Sequence, residues 1–158
     1  MENARKLVEM RTPNRNPVYI SQGYFSVMGG FNATSPTDST TYYFGSLWGA
    51  AMGTTVDINR VYIPYKGTIK AVRVYILCNT IAGSSEDVAV SLRLNNTTEY
   101  AIQTKGLDSG KKNLYSNLNL NIAVAAGDYI EIKIVTPAWA TNPTGVYGAF
   151  QALVFYEQ

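Results

Sequence analysis

Val72, Val74, Ile76 and Cys78 alternate with Arg73, Tyr75 and Leu77 along one stretch of the chain. Val88, Val90, Leu92 and Leu94 alternate in the same way with Ala89, Ser91, Arg93 and Asn95. Leu118, Leu120 and Ile122 alternate with Asn117, Asn119 and Asn121. Ile130, Ile132 and Ile134 alternate with Tyr129, Glu131, Lys133 and Val135. A period of two with one apolar face predicts half-buried antiparallel strands. Turn formers separate these runs: Lys66-Gly67-Thr68, Asn79 to Ser85, Asn95 to Thr98, Ser109-Gly110-Lys111 and Ala126-Gly127-Asp128. Shorter strands are expected near Val18–Val27, Tyr42–Leu47, Val56–Ile63 and Glu99–Thr104. Roughly eight or nine strands at about ten-residue spacing predict an all-β antiparallel sandwich of jelly-roll type.

The two ends of the chain depart from this pattern. Met1 to Arg11 lacks Gly and Pro and has helix-like spacing at Ala4, Leu7 and Val8, but is too short to hold a helix alone. Pro13 and Pro17 then impose an extended or turned course. Residues 1–16 therefore read as an arm, ahead of a β domain over residues 17–158. The last strand, Val146 to Tyr156, is apolar on both faces. One carries Phe150, Ala152, Val154 and Tyr156, and the other Tyr147, Ala149, Gln151, Leu153 and Phe155. Two apolar faces call for burial on both sides. A sandwich core covers one of them. Either a second subunit covers the other, at Tyr147, Leu153 and Phe155, or the N-terminal segment or the Tyr42–Trp48 stretch does so within the chain.

Composition narrows the chemistry. The 158 residues include no His and one Cys. Ser-His-Asp and Cys-His catalysis, His-ligated zinc, intrachain disulfides and four-Cys metal clusters are all excluded. Charged residues make up 15% of the chain, against about 25% in an average soluble domain. With 13 Asn, 15 Thr and 10 Ser, the surface is solvated by amides and hydroxyls, which suits strands and turns better than helices. The arm holds Arg5, Lys6, Arg11 and Arg15 against Glu2 and Glu9, so the whole net charge of +2 sits there. No apolar run approaches the ~20 residues that span a bilayer, and Met1 to Lys6 opens no secretory leader.

Arg60 to Ile69 is similar to repeated material in bacteriophage virion proteins. The Ile69–Cys78 and Glu86–Leu94 hairpin, the Asn-rich Leu118–Ile122 and the run from Val124 through Ala126-Gly127-Asp128 to Ile132 resemble jelly rolls of the tumour-necrosis-factor and complement-globular-head type. There a small-residue Gly-Asp turn launches the penultimate strand, and a hydrophobic terminal strand packs near a threefold axis. The resemblance implies a homotrimeric module on a virus particle, with virion localisation and the arm docked on a viral shell or tail protein. Two features lie outside it: the chain has no collagen-like stalk, and Tyr19–Gly53 matches no part of the family.

Several residues remain as candidate chemistry. Cys78 lies on the inward face of its strand and reads as a small structural hydrophobe. Asp57, Glu86, Asp87, Asp108, Asp128 and Glu131 show no spacing that selects a pair for glycoside hydrolysis, nor the dense pattern of a calcium loop. They read as turn formers. No catalytic residue, metal or cofactor is expected. Tyr42, Tyr43 and Trp139 either plug an end of the sandwich or stand exposed as receptor or sugar contacts; the Pro-flanked loop around Trp139 favours exposure. The arm cations are too few, and lack interleaved aromatics, for nucleic acid to be expected; no membrane contact is expected. Two functions follow from different classes. One is a trimeric capsid decoration or head-fibre module. The other is a receptor-binding or carbohydrate-binding tip of a tail fibre, with a host-surface glycan as partner.

Overall fold

The computed structural model describes residues 9–10, 18–19, 22–45, 51–56, 59–80, 86–108 and 112–157, and every described element is a strand. In chain order these are β1 (Glu9–Met10), β2 (Val18–Tyr19), β3 (Gln22–Thr34), β4 (Thr41–Phe44), β5 (Val61–Tyr62) and β6 (Gly67–Thr80). There follow β7 (Asp87–Leu94), β8 (Thr98–Gly106), β9 (Lys112–Asn117), β10 (Ile122–Val124), β11 (Tyr129–Val135) and β12 (Thr144–Glu157). One sheet runs β3–β12–β6, with β9 and β10 sharing the far edge of β6. The other has β4 and β5 sharing one edge of β11, followed by β7 and β8.

β3, β4, β6, β7, β8, β9, β11 and β12 are the principal strands. The first pairs with the last, and the second with the next to last. That order is the double Greek key of a jelly roll. The all-β jelly-roll expectation therefore holds.

The inward residues of both sheets make one core. Ile69, Val72, Val74, Ile76 and Cys78 of β6 meet Val88, Val90 and Leu92 of β7, Ile130, Ile132 and Ile134 of β11, and Phe150, Ala152 and Val154 of β12. Alternation sorts the two faces of each strand, so the predicted period-2 runs 72–78, 88–94 and 130–134 coincide with observed strands. Cys78 is buried, and burial pushes its thiol above the ordinary value. It acts as the expected hydrophobe.

Two local readings differ, one near Leu118 and one at the end of β3. Leu118–Asn121 is not a strand; the ladder breaks after Asn117, whose Oδ1 accepts the Asn119 N–H at 3.1 Å. A side chain that offers the backbone such a partner competes with sheet pairing. Within the arm, Glu9–Met10 is extended and pairs antiparallel with Val18–Tyr19, in keeping with a run too short to hold a helix. β3 also runs on through Gly29 and Gly30 to Thr34, beyond the expected end at Val27. The two glycines lie where other backbone comes close. A Cβ on Gly29 would sit 1.6 Å from the Gly45 carbonyl oxygen, and one on Gly30 would sit 2.7 Å from that of Gly148.

Gly29 thus sets how closely the two sheets approach at the β3 edge. Gly29→Ala is expected to lower stability by about 3 kcal/mol through overpacking, read from the urea midpoint. A change within about 0.5 kcal/mol, typical of an unconstrained surface site, would contradict this close approach.

Candidate functional site

β12 lies between β3 and β6, which fixes what surrounds its outward side chains. Phe155 stands opposite Tyr24 and Thr68, Leu153 opposite Ser26 and Ala71, and Gln151 opposite Met28 and Arg73. Ala149 stands opposite Gly30 and Tyr75, Tyr147 opposite Leu77, and Tyr75 in turn opposite Leu114 of β9. This outer face gathers aromatic and aliphatic side chains towards its two ends, with exposed Ser26, Gln151 and Arg73 between them and Gln151 Nε2 donating to Ser26 Oγ at 2.9 Å. Tyr24 is 61% exposed, Met28 52% and Leu114 49%, while Leu153 and Phe155 are half-buried by their neighbours. The Tyr24 and Phe155 rings pack at 5.2 Å between centroids. Arg73 stands opposite Gln151, and Lys112 opposite Leu77. The structure therefore brings Tyr147, Leu153 and Phe155 onto one continuous face. Alternation in β3 and β9 adds Tyr24, Met28 and Leu114, which sequence reasoning missed because attention to the last strand alone did not reveal its neighbours.

The outer face of the other sheet is built differently. Arg93 of β7 stands opposite Glu131 of β11, with its Nη1 3.1 Å from a carboxylate that is fully buried. Arg93 Nη2 donates to the Asn96 carbonyl at 2.6 Å and to the Asn96 side chain. Lys133 Nζ donates to both Glu99 carboxylate oxygens at 2.8 Å. The Arg93 guanidinium lies 4.9 Å from the centre of the Tyr43 ring. The charges of Arg93, Glu131, Glu99 and Lys133 thus pair with one another. Glu131 is therefore an internal ion-pair partner rather than the turn former expected from sequence.

The predicted contact rings fall elsewhere. Tyr42 and Trp139 are buried, 8% and 6% exposed, at the end of the sandwich opposite the start of β3. The Tyr42 hydroxyl accepts the Thr37 N–H at 2.9 Å. Thr136 Oγ1 donates to the Thr37 carbonyl at 2.7 Å, and the Trp139 N–H reaches Asp38 Oδ1 at 3.2 Å. These bonds fold the Pro-flanked loop down onto the β3–β4 turn, so the exposure expected for Trp139 is corrected: its ring plugs the sandwich. Tyr43 is half-buried beneath Arg93. Of the exposed rings, Tyr24, Tyr62 and Tyr65 lie near the end where β3 begins and β12 finishes, and Tyr147 lies nearer the other end of β12. Arg5, Lys6, Arg11 and Arg15 lie outside the described residues.

That same end holds the Gly-Asp turn. Gly127 adopts φ +89°, and the Asp128 carboxylate accepts the Ala125 N–H at 2.7 Å and the Asn95 side-chain amide at 2.8 Å. The Ala125 N–H first, and Asn95 second, hold the Asp128 pKa below its ordinary value. Beside the turn is an open cleft of about 660 Å³ lined by Lys66, Thr68, Ala123, Asp128 and Phe155 among others. The carboxylate on its wall is already committed to the turn. Among the described residues, no three His, Cys, Asp or Glu side chains lie together as a metal site.

No protein-family model and no curated protein matches the chain. Solved structures do align with it at low identity. A chain of the infectious bursal disease virus Gx strain is 11% identical, with a TM-score of 0.42 over 94% of this chain and 36% of that one. The chain of the infectious bursal disease virus VP2 subviral particle is 10% identical, with a TM-score of 0.44 over 98% and 40%. FLHE is 13% identical, with a TM-score of 0.41 over 87% and 96%. The chain thus spans little more than a third of those viral chains, and its activity does not follow from likenesses of this grade.

The ion-paired face gives a direct test. Arg93→Met leaves the buried Glu131 carboxylate without its guanidinium and is expected to cost about 3–5 kcal/mol, measured by urea unfolding. A loss below about 1 kcal/mol, the range of an exposed pair, would contradict the buried pairing.

Proposed function

We propose that the chain is a non-enzymatic virion structural protein. It assembles as a homotrimer through the outer face of the β12 sheet and docks on a viral shell or tail protein through residues 1–16. The observation that carries this reading is the contrast between the two outer faces. One closes its charges internally through Arg93, Glu131, Glu99 and Lys133. The other leaves Tyr24, Met28, Leu114 and Tyr147 exposed around half-buried Leu153 and Phe155. Exposed apolar side chains gathered on one face mark an interaction surface.

The resemblance carried by the Gly-Asp turn and the terminal strand supports three copies around that strand. Similarity of Arg60–Ile69 to virion proteins supports the particle. A trimer laid across several shell subunits would favour the assembled shell by mass action. In the receptor-tip alternative, Tyr42, Tyr43 and Trp139 make the contact; burial of Tyr42 and Trp139 favours the decoration reading over it.

Leu153→Lys combined with Phe155→Lys is expected to release monomers in analytical ultracentrifugation while the β-sheet circular dichroism is retained. An assembly of unchanged mass would contradict the proposed interface. Neutralising Arg5, Lys6, Arg11 and Arg15 to Gln is expected to lower attachment to purified particles at least tenfold without changing the trimer mass. Unchanged attachment would contradict docking through the arm.

A further inference from the structure

Two exposed tyrosines stand close together in the chain at the end of the sandwich where β12 finishes. Tyr62 of β5 is 61% exposed and stands opposite Tyr129 of β11, with the two rings edge to face at 5.7 Å. The Arg60 guanidinium lies 4.4 Å from the centre of the Tyr129 ring. Tyr65 is 49% exposed, stacks on Tyr156 at 5.9 Å with 28° between the rings, and meets Phe25 edge-on at 6.1 Å. Each exposed ring is thus braced by aromatic neighbours. Three residue steps separate the Cα atoms of Tyr62 and Tyr65 by at most about 11 Å.

The backbone between the two rings is held against the Gly-Asp turn. The Ile63 N–H donates to the Asp128 carbonyl at 2.7 Å, and the Gly127 N–H donates to the Ile63 carbonyl at 2.9 Å. The cleft of about 660 Å³ opens on the same frame, between Lys66 to Thr68 at the entry to β6 and Ala123 to Asp128. Its size is that of a small-molecule site. The walls mix the small apolar Ala123, Val124 and Ala125 with Thr68, Asp128 and the exposed Lys66. Asn95 and Ala125 donate one bond each to Asp128, using two of a carboxylate's roughly four acceptor positions. The turn therefore fixes on the wall an acceptor with capacity for a further donor.

We propose that this end of the sandwich is a carbohydrate site for a neutral oligosaccharide, with pyranose faces laid on Tyr62 and Tyr65 and hydroxyl groups bonded to Lys66 Nζ and the Asp128 carboxylate. A sugar ring carries C–H groups on its faces and hydroxyls on its rim, and a tyrosine, apolar in its body and polar at its tip, meets both. A tyrosine has few rotatable bonds, and one already packed on its neighbours loses little freedom when a ligand settles on it. Charge selects the class of ligand. The Asp128 carboxylate repels an anionic sugar, while Lys66 and Arg60 oppose a cationic peptide. A neutral polyhydroxyl ligand meets neither penalty. The site lies at the opposite end from Tyr42 and Trp139 and does not rest on the trimer reading. Phe155 lines the cleft and also belongs to the outer face of the β12 sheet, so the test leaves it untouched.

Saturation-transfer NMR on the full-length chain, with maltotriose, cellotriose, mannotriose, galactotriose and tri-N-acetylchitotriose at millimolar concentration, is expected to show at least one of them bound through its ring C–H protons. For that sugar, Tyr62→Ala is expected to weaken binding roughly tenfold, the loss of one aromatic contact, while Tyr62→Phe, which keeps the ring face, retains it. Ala123→Trp, which fills the cleft from its exposed wall, is expected to abolish binding with the melting temperature unchanged. None of these substitutions is expected to change the mass in solution. Failure of all these sugars to bind, or binding that either Tyr62→Ala or Ala123→Trp leaves intact, overturns the proposal. A changed mass for Tyr62→Ala with no sugar bound assigns the rings to a contact between copies and overturns it as well.

Discussion

β12 is apolar on its inner face and largely apolar on its outer one, and that composition conditions everything around it. Its inward side chains Phe150, Ala152 and Val154 are buried in the core, and its backbone is paired along both edges by β3 and β6. Placing it centrally gives its inner face to the core and makes its outer face the middle of a surface. That surface inherits its character from the neighbours: Tyr24 and Met28 on one side, Tyr75, Leu77 and Leu114 on the other. Burying such side chains contributes roughly 1.5–3 kcal/mol each. Leaving Tyr24, Met28 and Leu114 in water therefore carries a cost in the isolated subunit.

The other sheet shows the alternative solution to the same problem. Four of its side chains, Arg93, Glu131, Glu99 and Lys133, pair their charges with one another, down to a fully buried Glu131 held by Arg93. A buried pair of this kind contributes little net stability but strongly disfavours rearrangement, because separating it strands a charge. One sheet is thus closed by electrostatics inside the subunit. The other leaves apolar side chains in water, and the proposed assembly would remove that face from water.

Much of the architecture was legible in the chain because alternation is a strong signal where one face is polar. Runs such as Val72–Cys78 and Ile130–Ile134 sort themselves by period alone. Legibility failed where a single side chain or backbone contact overrode periodicity. Asn117 captures a backbone N–H and ends a ladder that Leu118, Leu120 and Ile122 appeared to continue. Gly29 and Gly30 look like a strand terminator, yet they serve a close approach to Gly45 and Gly148 that only the folded molecule contains. The ring set failed for a related reason. Prolines around Trp139 signal a loop, but hydrogen bonds to residues about a hundred positions away decide that the loop folds inward. Tyr147, Leu153 and Phe155 were legible as one face because they share one strand; Tyr24 and Leu114 complete it through pairing that no local pattern reveals.

The central claim is that the outer face of the β12 sheet is buried between copies of the chain. Multi-angle light scattering on the unaltered full-length chain, across a hundredfold range of concentration, tests it most directly. The account predicts that no 17.3 kDa species persists except at the lowest concentrations, and that the smallest stable species has three times that mass. A chain that remains monomeric throughout that range, with Tyr24, Met28 and Leu114 exposed to water, would contradict it.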